Sequence, residues 1–312
     1  MAWTVEEWAA MTDAEKKQAR KQYAYHPCEH FHEDTPTQSD DEDEDNKGFG
    51  DPNFGNWHEI DKDNEQEKEE KNEEQEVEEE EEEEEEGDEE EEETPENLIP
   101  FKPGSSIIIS GSSGSGKTQW VKRFIQNINY MYNGKKPAEI MFCYSVWQDL
   151  YDEIKKMTKI EIVFHEGLPD RETIFEFSED RVHKLIVLDD LMHKAVDNQE
   201  IELLFTQYCH HRNLSCIYIQ QNLFMKGKHA KTIGINAWYM VLFDNVRDKN
   251  QVMYLGRQLH PRKSKSFVSL YESAVKKPWS YLVLDLSPGM FDVLRLRTGV
   301  FPDECLEVHK LH

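Results

Sequence analysis

Gly111-Ser112-Ser113-Gly114-Ser115-Gly116-Lys117-Thr118 has the spacing G-x-x-x-x-G-K-[ST] of a phosphate-binding loop. It follows three consecutive isoleucines, Ile107 to Ile109, and precedes a stretch with helical character from Lys117 onward. A strand, a loop of small residues and a helix in this order let main-chain amides surround a phosphate group. We therefore expect Lys117 to contact the β- and γ-phosphates of ATP and the Thr118 hydroxyl to bind Mg²⁺.

An apolar run that ends in two acids lies further along the chain. Leu185-Ile186-Val187-Leu188-Asp189-Asp190 predicts a buried strand with carboxylates at its carboxyl end. Asp189 is suited to hold Mg²⁺ directly or through water, and Asp190 to position or polarise the attacking water. The alternative for Asp190 is a helix N-cap.

Two further polar residues are candidates for the same site. Gln221 follows an apolar strand that ends at Gln220, and an amide at a strand tip can sense the γ-phosphate and orient water. Arg212 precedes that strand, and its guanidinium is a candidate arginine finger toward the nucleotide of a neighbouring subunit. An ordinary surface charge is the alternative for Arg212, and Arg247 is a second candidate finger.

The region after Pro103 alternates between short apolar runs and helical stretches. This pattern predicts an α/β fold, a P-loop NTPase with a mostly parallel central sheet flanked by helices. The predicted strands are 105–110, 139–144, 161–164, 184–189, 215–220, 237–243 and 281–286. The most evident predicted helices are 117–132, 148–157, 199–211 and 248–258.

The N-terminal third has a different composition. From Met1 to Leu98 there are 40 acidic against 8 basic residues, whereas the rest of the chain carries 24 acidic against 28 basic residues. Nine consecutive glutamates run from Glu78 to Glu86. Such a charge density with few apolar side chains predicts disorder. We therefore predict a short helical segment over residues 1–27, an acidic disordered region over 28–98 and a P-loop ATPase domain over 99–312.

The acidic region has several possible roles on its composition alone. It is suited to be a solvated spacer, a mimic of nucleic acid, a binding site for basic proteins such as histones, or a shield over the DNA surface of the same chain. The first of these is the simplest interpretation. The sequence does not decide among them.

The cysteines and the apolar runs indicate the compartment. Five widely spaced cysteines argue against a disulfide framework and for a reducing environment. No segment has the pattern of a secretory signal, and no run approaches the roughly 18 apolar residues of a membrane span. We expect an intracellular protein without a membrane span.

Several segments together resemble the genome-packaging ATPases of the FtsK-HerA superfamily, in particular the branch found in poxvirus-like large DNA viruses and in Polinton and adintovirus-type elements. The resemblance extends over residues 100 to 302, about two thirds of the chain. The segments that carry it are Gly111 to Thr118, 184–191 (KLIVLDDL), 204–224 (LFTQYCHHRNLSCIYIQQNLF), 236–248 (NAWYMVLFDNVRD), 276–286 (KKPWSYLVLDL) and 295–298 (RLRT).

This resemblance implies an ASCE-type core, in which an extra strand lies between the phosphate-loop strand and the acid strand, and 215–220 fits that strand. It also implies a homo-oligomeric ring, a hexamer or pentamer, that pulls double-stranded DNA into a capsid at the expense of ATP. The implied partners are capsid or portal-vertex proteins, in the nucleus or cytoplasm of a host cell and in the virion.

The same resemblance assigns roles to individual residues. Lys117 and Thr118 match the phosphate-loop pair, Asp189 the magnesium acid and Asp190 the catalytic carboxylate. The strand-tip glutamine corresponds to Gln221 and the finger to Arg212. Many members of the superfamily have Glu in place of Asp190, and the shorter carboxylate requires a different water position.

Two other functions stay open on the sequence. One is a P-loop kinase of a small hydroxyl substrate, although the chain lacks a clear arginine-rich lid of the kind such kinases carry. The other is an acidic histone-binding or DNA-mimic protein in which the P-loop only stabilises the fold. The packaging motor is preferred, since the lid is lacking and since both halves of a hydrolytic site argue against a P-loop that only stabilises the fold. Two local basic clusters are candidates for DNA contact: Lys226, Lys228 and Lys231, and Arg262, Lys263 and Lys265.

Overall fold

A computed structural model describes residues 98–134, 136–247 and 249–312. Within these ranges the chain forms one nine-stranded sheet with helices on both faces. The predicted helical segment 1–27 and the predicted acidic region 28–98, apart from Leu98, lie outside the described residues. Both of these remain predictions.

The described strands form a sheet with the order β3-β2-β4-β5-β1-β6-β7-β8-β9. The strands from β3 to β6 in this order pair in parallel, whereas β7, β8 and β9 are antiparallel additions at one end. The strands are β1 (Ser106–Ser110), β2 (Glu139–Tyr144), β3 (Glu161–Glu166), β4 (Lys184–Asp189), β5 (Leu214–Gln220), β6 (Tyr239–Phe243), β7 (Tyr281–Asp285), β8 (Leu296–Thr298) and β9 (Glu307–Val308).

The central strands explain the continuous apolar runs of the sequence. Both faces of β1 and β4 are covered by helices, so every residue of these two strands is buried. The extra strand β5 lies between them, with Ile108 opposite Tyr218 on one side and Val187 opposite Ile217 on the other. The predicted α/β class, the mostly parallel sheet and the inserted strand are therefore confirmed.

The helices cover the sheet from both sides. They are α1 (Lys117–Gln126), α2 (Ile128–Met131), α3 (Asp149–Met157), α4 (Arg171–Phe177), α5 (Met192–Ala195), α6 (Gln199–Leu203), α7 (Cys209–His211), α8 (Ala230–Asn236), α9 (Lys249–Leu259) and α10 (Ser264–Ala274). A π-helical turn, Leu204–Tyr208, joins α6 to α7, and a short 3₁₀ turn, Asp292–Leu294, precedes β8. None of the helices in the described ranges is long and apolar enough to cross a membrane.

Two predicted helices differ in detail from the observed ones. The segment 117–132 is interrupted at Asn127, where the backbone leaves helical geometry with φ −101° and ψ 23°. The main-chain N–H and the side-chain amide of Asn127 both donate to the carbonyl of Arg123. The segment 199–211 widens into the π-helical turn at its centre. Such turns occur mostly as local insertions within α-helices.

Aromatic packing fixes α1 on one face of the sheet. Trp120 stacks on Phe124 with ring centroids 5.3 Å apart and lies 5.4 Å from the ring of Phe301. Phe101 packs edge-on against Phe124 at 5.5 Å. These side chains are buried, and full burial of each stabilises the fold by roughly 1.5–3 kcal/mol. The N-terminus of α1 is thereby held above the carboxyl end of β1.

Candidate functional site

The phosphate-binding loop connects β1 to α1 in a conformation that its glycines permit. Gly116 has φ 100°, and a Cβ atom at Gly111 would lie 2.6 Å from Cβ of Phe243. The loop is tied to the segment after β6, because the main-chain N–H and the hydroxyl of Ser112 both donate to the carbonyl of Asp244. No side chain caps α1 and no acid lies in its first turn, so its N-terminal amides are available to an anion.

Lys117 lies inside this loop. Its Nζ donates to the carbonyl oxygens of Gly111 at 2.8 Å and Ser112 at 2.7 Å, and the residue is only 9% exposed. Burial lowers the pKa of the ammonium group, while the charges of Asp189 and Asp190 act in the opposite direction. The two aspartates are therefore close enough to affect the lysine electrostatically.

Asp189 ends β4 and is 3% exposed. Burial raises the pKa of its carboxyl group, and hydrogen bonds from Tyr151 and Thr118 lower it. The Tyr151 hydroxyl donates to Oδ2 of Asp189 at 3.0 Å. The structure thus brings Thr118 and Asp189 into direct contact, as the predicted magnesium pair requires.

Asp190 projects from the same strand end in an uncommon backbone conformation. Its φ is 56°, in the left-handed region that aspartate tolerates better than most residues, and the side chain is exposed. The next helix, α5, begins at Met192, and Leu191 holds its N-cap position. Asp190 is therefore not the N-cap of that helix, and its carboxylate faces the cavity beside Lys117.

The loop and the ends of β4 and β5 surround a cavity of about 480 Å³. Its lining is polar and includes the predicted residues Ser113, Gly114, Gly116, Lys117, Thr118, Asp189, Asp190 and Gln221. Main-chain amides and a buried lysine fit a phosphate chain, and the hydroxyl and carboxylate oxygens of Thr118 and Asp189 are ligands that Mg²⁺ prefers.

Both glutamines at the end of β5 line the cavity. Gln221 is exposed, and its main-chain N–H donates to Sδ of Met192 at 3.3 Å. Gln220 is 4% exposed and donates through Nε2 to the carbonyl of Leu223. The structure therefore brings Gln221 to the same cavity as Lys117 and Asp189, and its role toward the γ-phosphate remains a prediction.

The two candidate fingers lie at opposite edges of the sheet. Arg212 precedes the amino end of β5, where its guanidinium stacks 3.5 Å from the ring centre of Phe175 and donates to the Ser178 hydroxyl. It does not line the cavity of its own chain. Arg247 is exposed in the segment after β6, at the edge that carries the phosphate loop. Neither residue completes the site of its own chain.

Three residues that the sequence did not predict bear on the site. Gln148, which precedes α3, and Trp279, which lies against Gly116 from the segment before β7, line the cavity. Tyr151 does not line it but donates to Asp189. None of them belongs to a motif with a diagnostic spacing. Trp279 lies within the segment 276–286 that carries the family resemblance, which is the only sequence signal that pointed to it.

The strand order of the sheet and the phosphate-binding loop between β1 and α1 define the fold class of this chain. The chain has the fold of a P-loop NTPase. No protein-family model and no curated protein matches the sequence. The predicted FtsK-HerA relationship, and within it the poxvirus and Polinton branch, therefore remains a prediction.

Two solved structures are similar to the chain at low identity. The genome packaging NTPase B204 from Sulfolobus turreted icosahedral virus 2, in complex with ATP-gammaS, is 12% identical with a TM-score of 0.41, and the match covers 66% of this chain and 97% of that one. A KaiC-like protein from Pyrococcus horikoshii OT3 is 12% identical with a TM-score of 0.34, covering 67% and 91%. Similarity at this level carries no conclusion about ligands or activity.

Proposed function

We propose that the chain is an ATPase that translocates double-stranded DNA and packages a viral or virus-like genome into a capsid. The observation that supports ATP hydrolysis is the convergence of Lys117, Thr118, Asp189 and Asp190 on one polar cavity at the carboxyl end of a parallel sheet. A site that only stabilised the fold would not need an exposed acid in a left-handed conformation beside a buried lysine.

Each residue has a distinct part in the proposed reaction. The α1 amides and Lys117 hold the phosphate chain and stabilise charge that develops on the transferring phosphoryl group. Thr118 and Asp189 would hold Mg²⁺, which neutralises negative charge between the phosphates. Asp190 orients the attacking water and accepts its proton, and Gln221 provides a second hydrogen bond to that water.

The segment after β5 connects this cavity to a basic surface. It begins with Gln221 at the cavity, and Lys226, Lys228 and Lys231 follow within the next turn and the start of α8, all exposed. The main chain of Lys228 is held by the Asp197 carboxylate. A change at Gln221 on hydrolysis would therefore be transmitted through a short segment to lysines that are suited to contact DNA phosphates.

The assembly belongs to the same proposal. We infer a homo-oligomeric ring, a hexamer or pentamer, with Arg212 as the finger supplied to the neighbouring site, and capsid or portal-vertex proteins as partners. The FtsK-HerA branch of poxvirus-like viruses and Polinton-type elements is the proposed family. The proposed location is the nucleus or cytoplasm of the host cell, with a portion in virions.

The test is ATP hydrolysis with and without double-stranded DNA. We expect DNA to stimulate the full-length protein, and Lys226→Ala with Lys228→Ala to reduce the dependence of DNA affinity on salt by about one unit of slope per lysine. The matched control is Lys155→Ala with Lys156→Ala, an exposed pair on α3. An equal slope in both double variants would remove Lys226 and Lys228 from the DNA path.

Other outcomes of this assay point to the alternative functions. Phosphate transfer to a small hydroxyl acceptor with no effect of DNA would replace the motor with a kinase. Histone binding that persists without any ATP turnover would favour the acidic binding protein. A protein truncated to begin at Asn97 separates these cases, because it lacks the acidic N-terminal region and retains the described domain. It should lose histone binding and keep either enzymatic activity.

We expect Tyr151→Phe to shift the acid limb of the ATPase pH profile to higher pH. The hydrogen bond from Tyr151 is the largest contribution that lowers the pKa of Asp189, so its removal raises that pKa further above its ordinary range. Hydrolysis requires the carboxylate, and the rate is therefore lost at a higher pH as the solution is acidified. The pH dependence of kcat/KM reports the free protein and is the measurement of choice.

The control for this variant is Tyr208→Phe. The Tyr208 hydroxyl also donates to a carboxylate, Oε2 of Glu200, at 3.0 Å, but Glu200, unlike Asp189, does not line the cavity. A similar shift in both variants would mean that the effect is not specific to Asp189. An unchanged profile in Tyr151→Phe would remove Tyr151 as a positioning residue for the metal acid.

A further inference from the structure

Trp279 occupies a position that its residue type does not favour. It lies in the turn Lys277–Ser280 between α10 and β7, which is closed by a hydrogen bond from the Ser280 N–H to the Lys277 carbonyl at 3.1 Å. Pro278 holds the second position of this turn and Trp279 the third, with φ 63°. A turn of this kind normally has glycine or asparagine at its third position. A bulky side chain in the left-handed region is strained, and such strain concentrates at functional sites.

The indole is also unusually placed for an apolar side chain. It is 72% exposed, yet it lines the cavity and contacts the phosphate loop, since a Cβ atom at Gly116 would lie 3.1 Å from its Cδ1 atom. The fold therefore holds a large, flat and nearly uncovered aromatic face next to a site for phosphates. No packing requirement of the described core explains this exposure.

The sheet order gives the direction of a bound ligand. From β1, which carries the phosphate loop, β4 lies two strands away in one direction and β7 two strands away in the other. The acids at the end of β4 fix where the terminal phosphate and the water lie. The remainder of a ligand extends away from them, and Trp279 precedes β7 at the same edge of the sheet, because Tyr281 pairs with Phe243 at the carboxyl end of β6.

We propose that Trp279 stacks on the base of the bound nucleotide and thereby makes the site a nucleoside triphosphate site rather than a general polyphosphate site. This inference rests on the proposed function. An aromatic face binds a planar heterocycle by stacking, which contributes to affinity without hydrogen bonds to particular base edges. The strained turn presents the indole toward the cavity.

Three substitutions at this position separate stacking from strain. Trp279→Phe keeps an aromatic face and the strain, Trp279→Ala removes the face, and Trp279→Gly removes the face and relieves the strain. Binding of ATP and of inorganic tripolyphosphate, each with Mg²⁺, is measured by calorimetry on the full-length protein. Thermal unfolding is measured on the same samples. Tyr254→Ala is the control, since Tyr254 is 58% exposed on α9 and does not line the cavity.

We expect the alanine and glycine variants to bind ATP about tenfold more weakly and to bind tripolyphosphate as the unsubstituted protein does. The phenylalanine variant should keep most of the ATP affinity, and the glycine variant should unfold at the highest temperature of the three. The proposal is overturned if ATP affinity does not change, if it falls equally in all three variants, or if tripolyphosphate affinity falls in parallel. Failure of the unsubstituted protein to bind ATP would instead overturn the proposed function itself.

Discussion

Replacement of Lys117 by alanine is expected to lower the rate of ATP hydrolysis by roughly 10²- to 10³-fold, with or without DNA. The Nζ atom lies inside the phosphate loop, 2.8 Å from the Gly111 carbonyl oxygen and 2.7 Å from that of Ser112. No other described cavity-lining residue is a lysine or arginine. Without the Lys117 ammonium group, only the main-chain amides and the metal would balance the negative charge of the phosphates. Steady-state phosphate release gives the rate, and calorimetry gives ATP affinity.

This variant also removes two hydrogen bonds to loop carbonyls, so its folding has to be measured separately. Each such bond contributes about 1 kcal/mol to stability, a loss small enough for the domain to remain folded. Lys122→Ala is the matched control on the same helix, since the Lys122 ammonium pairs with the partly exposed Glu153 carboxylate away from the cavity. Hydrolysis by Lys117→Ala at the rate of Lys122→Ala would contradict the proposed site.

The sequence predicted the residues of the site whose positions follow from local chain geometry. A G-x-x-x-x-G-K-T spacing between a strand and a helix has few ways to close, so the position of Lys117 follows from the motif. Buried parallel strands are apolar along their whole length, and the predicted bounds of β2 and β4 therefore equal the observed ones. The carboxyl ends of such strands meet at one edge, which places Asp189 beside the loop.

The parts that the sequence did not predict depend on contacts between distant segments. Tyr151 reaches Asp189 because α3 follows β2, and β2 pairs with β4 in the sheet, an order that no local pattern encodes. Trp279 reaches Gly116 only because β7 turns back antiparallel along β6. The break at Asn127 is a local change of backbone geometry that has no effect on apolar periodicity.

The two candidate arginine fingers, Arg212 and Arg247, would act on the nucleotide of a neighbouring subunit in the proposed ring. They differ in how firmly their own chain holds them. Arg212 is already fixed within its own chain, whereas Arg247 is exposed near the phosphate loop. Stacking on Phe175 restricts the Arg212 guanidinium, but its one hydrogen bond to Ser178, at 3.3 Å, leaves most of its five N–H donors available. A restrained arginine loses less entropy when it contacts a phosphate of the neighbouring subunit.

We expect Arg212→Ala to lower the ATPase rate of the proposed ring by about 10³-fold or more while ATP binding stays unchanged. A finger acts on the transferring phosphoryl group, so its loss affects kcat rather than affinity. Arg247→Ala should change the rate by less than about tenfold, in line with an exposed charge. The rate is measured across protein concentrations that span assembly, and mixtures of Arg212→Ala with Lys117→Ala should regain activity because each subunit supplies what its neighbour lacks.

A loss of ATPase rate in Arg212→Ala could also come from losing the stacking contact between Arg212 and Phe175 within the chain. The variant Phe175→Leu tests this explanation. That variant removes the ring beneath the guanidinium and leaves the arginine in place, so it should lower the unfolding temperature about as much as Arg212→Ala and retain most of the activity. A loss of rate in Phe175→Leu equal to that of Arg212→Ala would assign Arg212 a structural role. A large loss of ATPase rate in Arg247→Ala, with none in Arg212→Ala, would instead identify Arg247 as the finger.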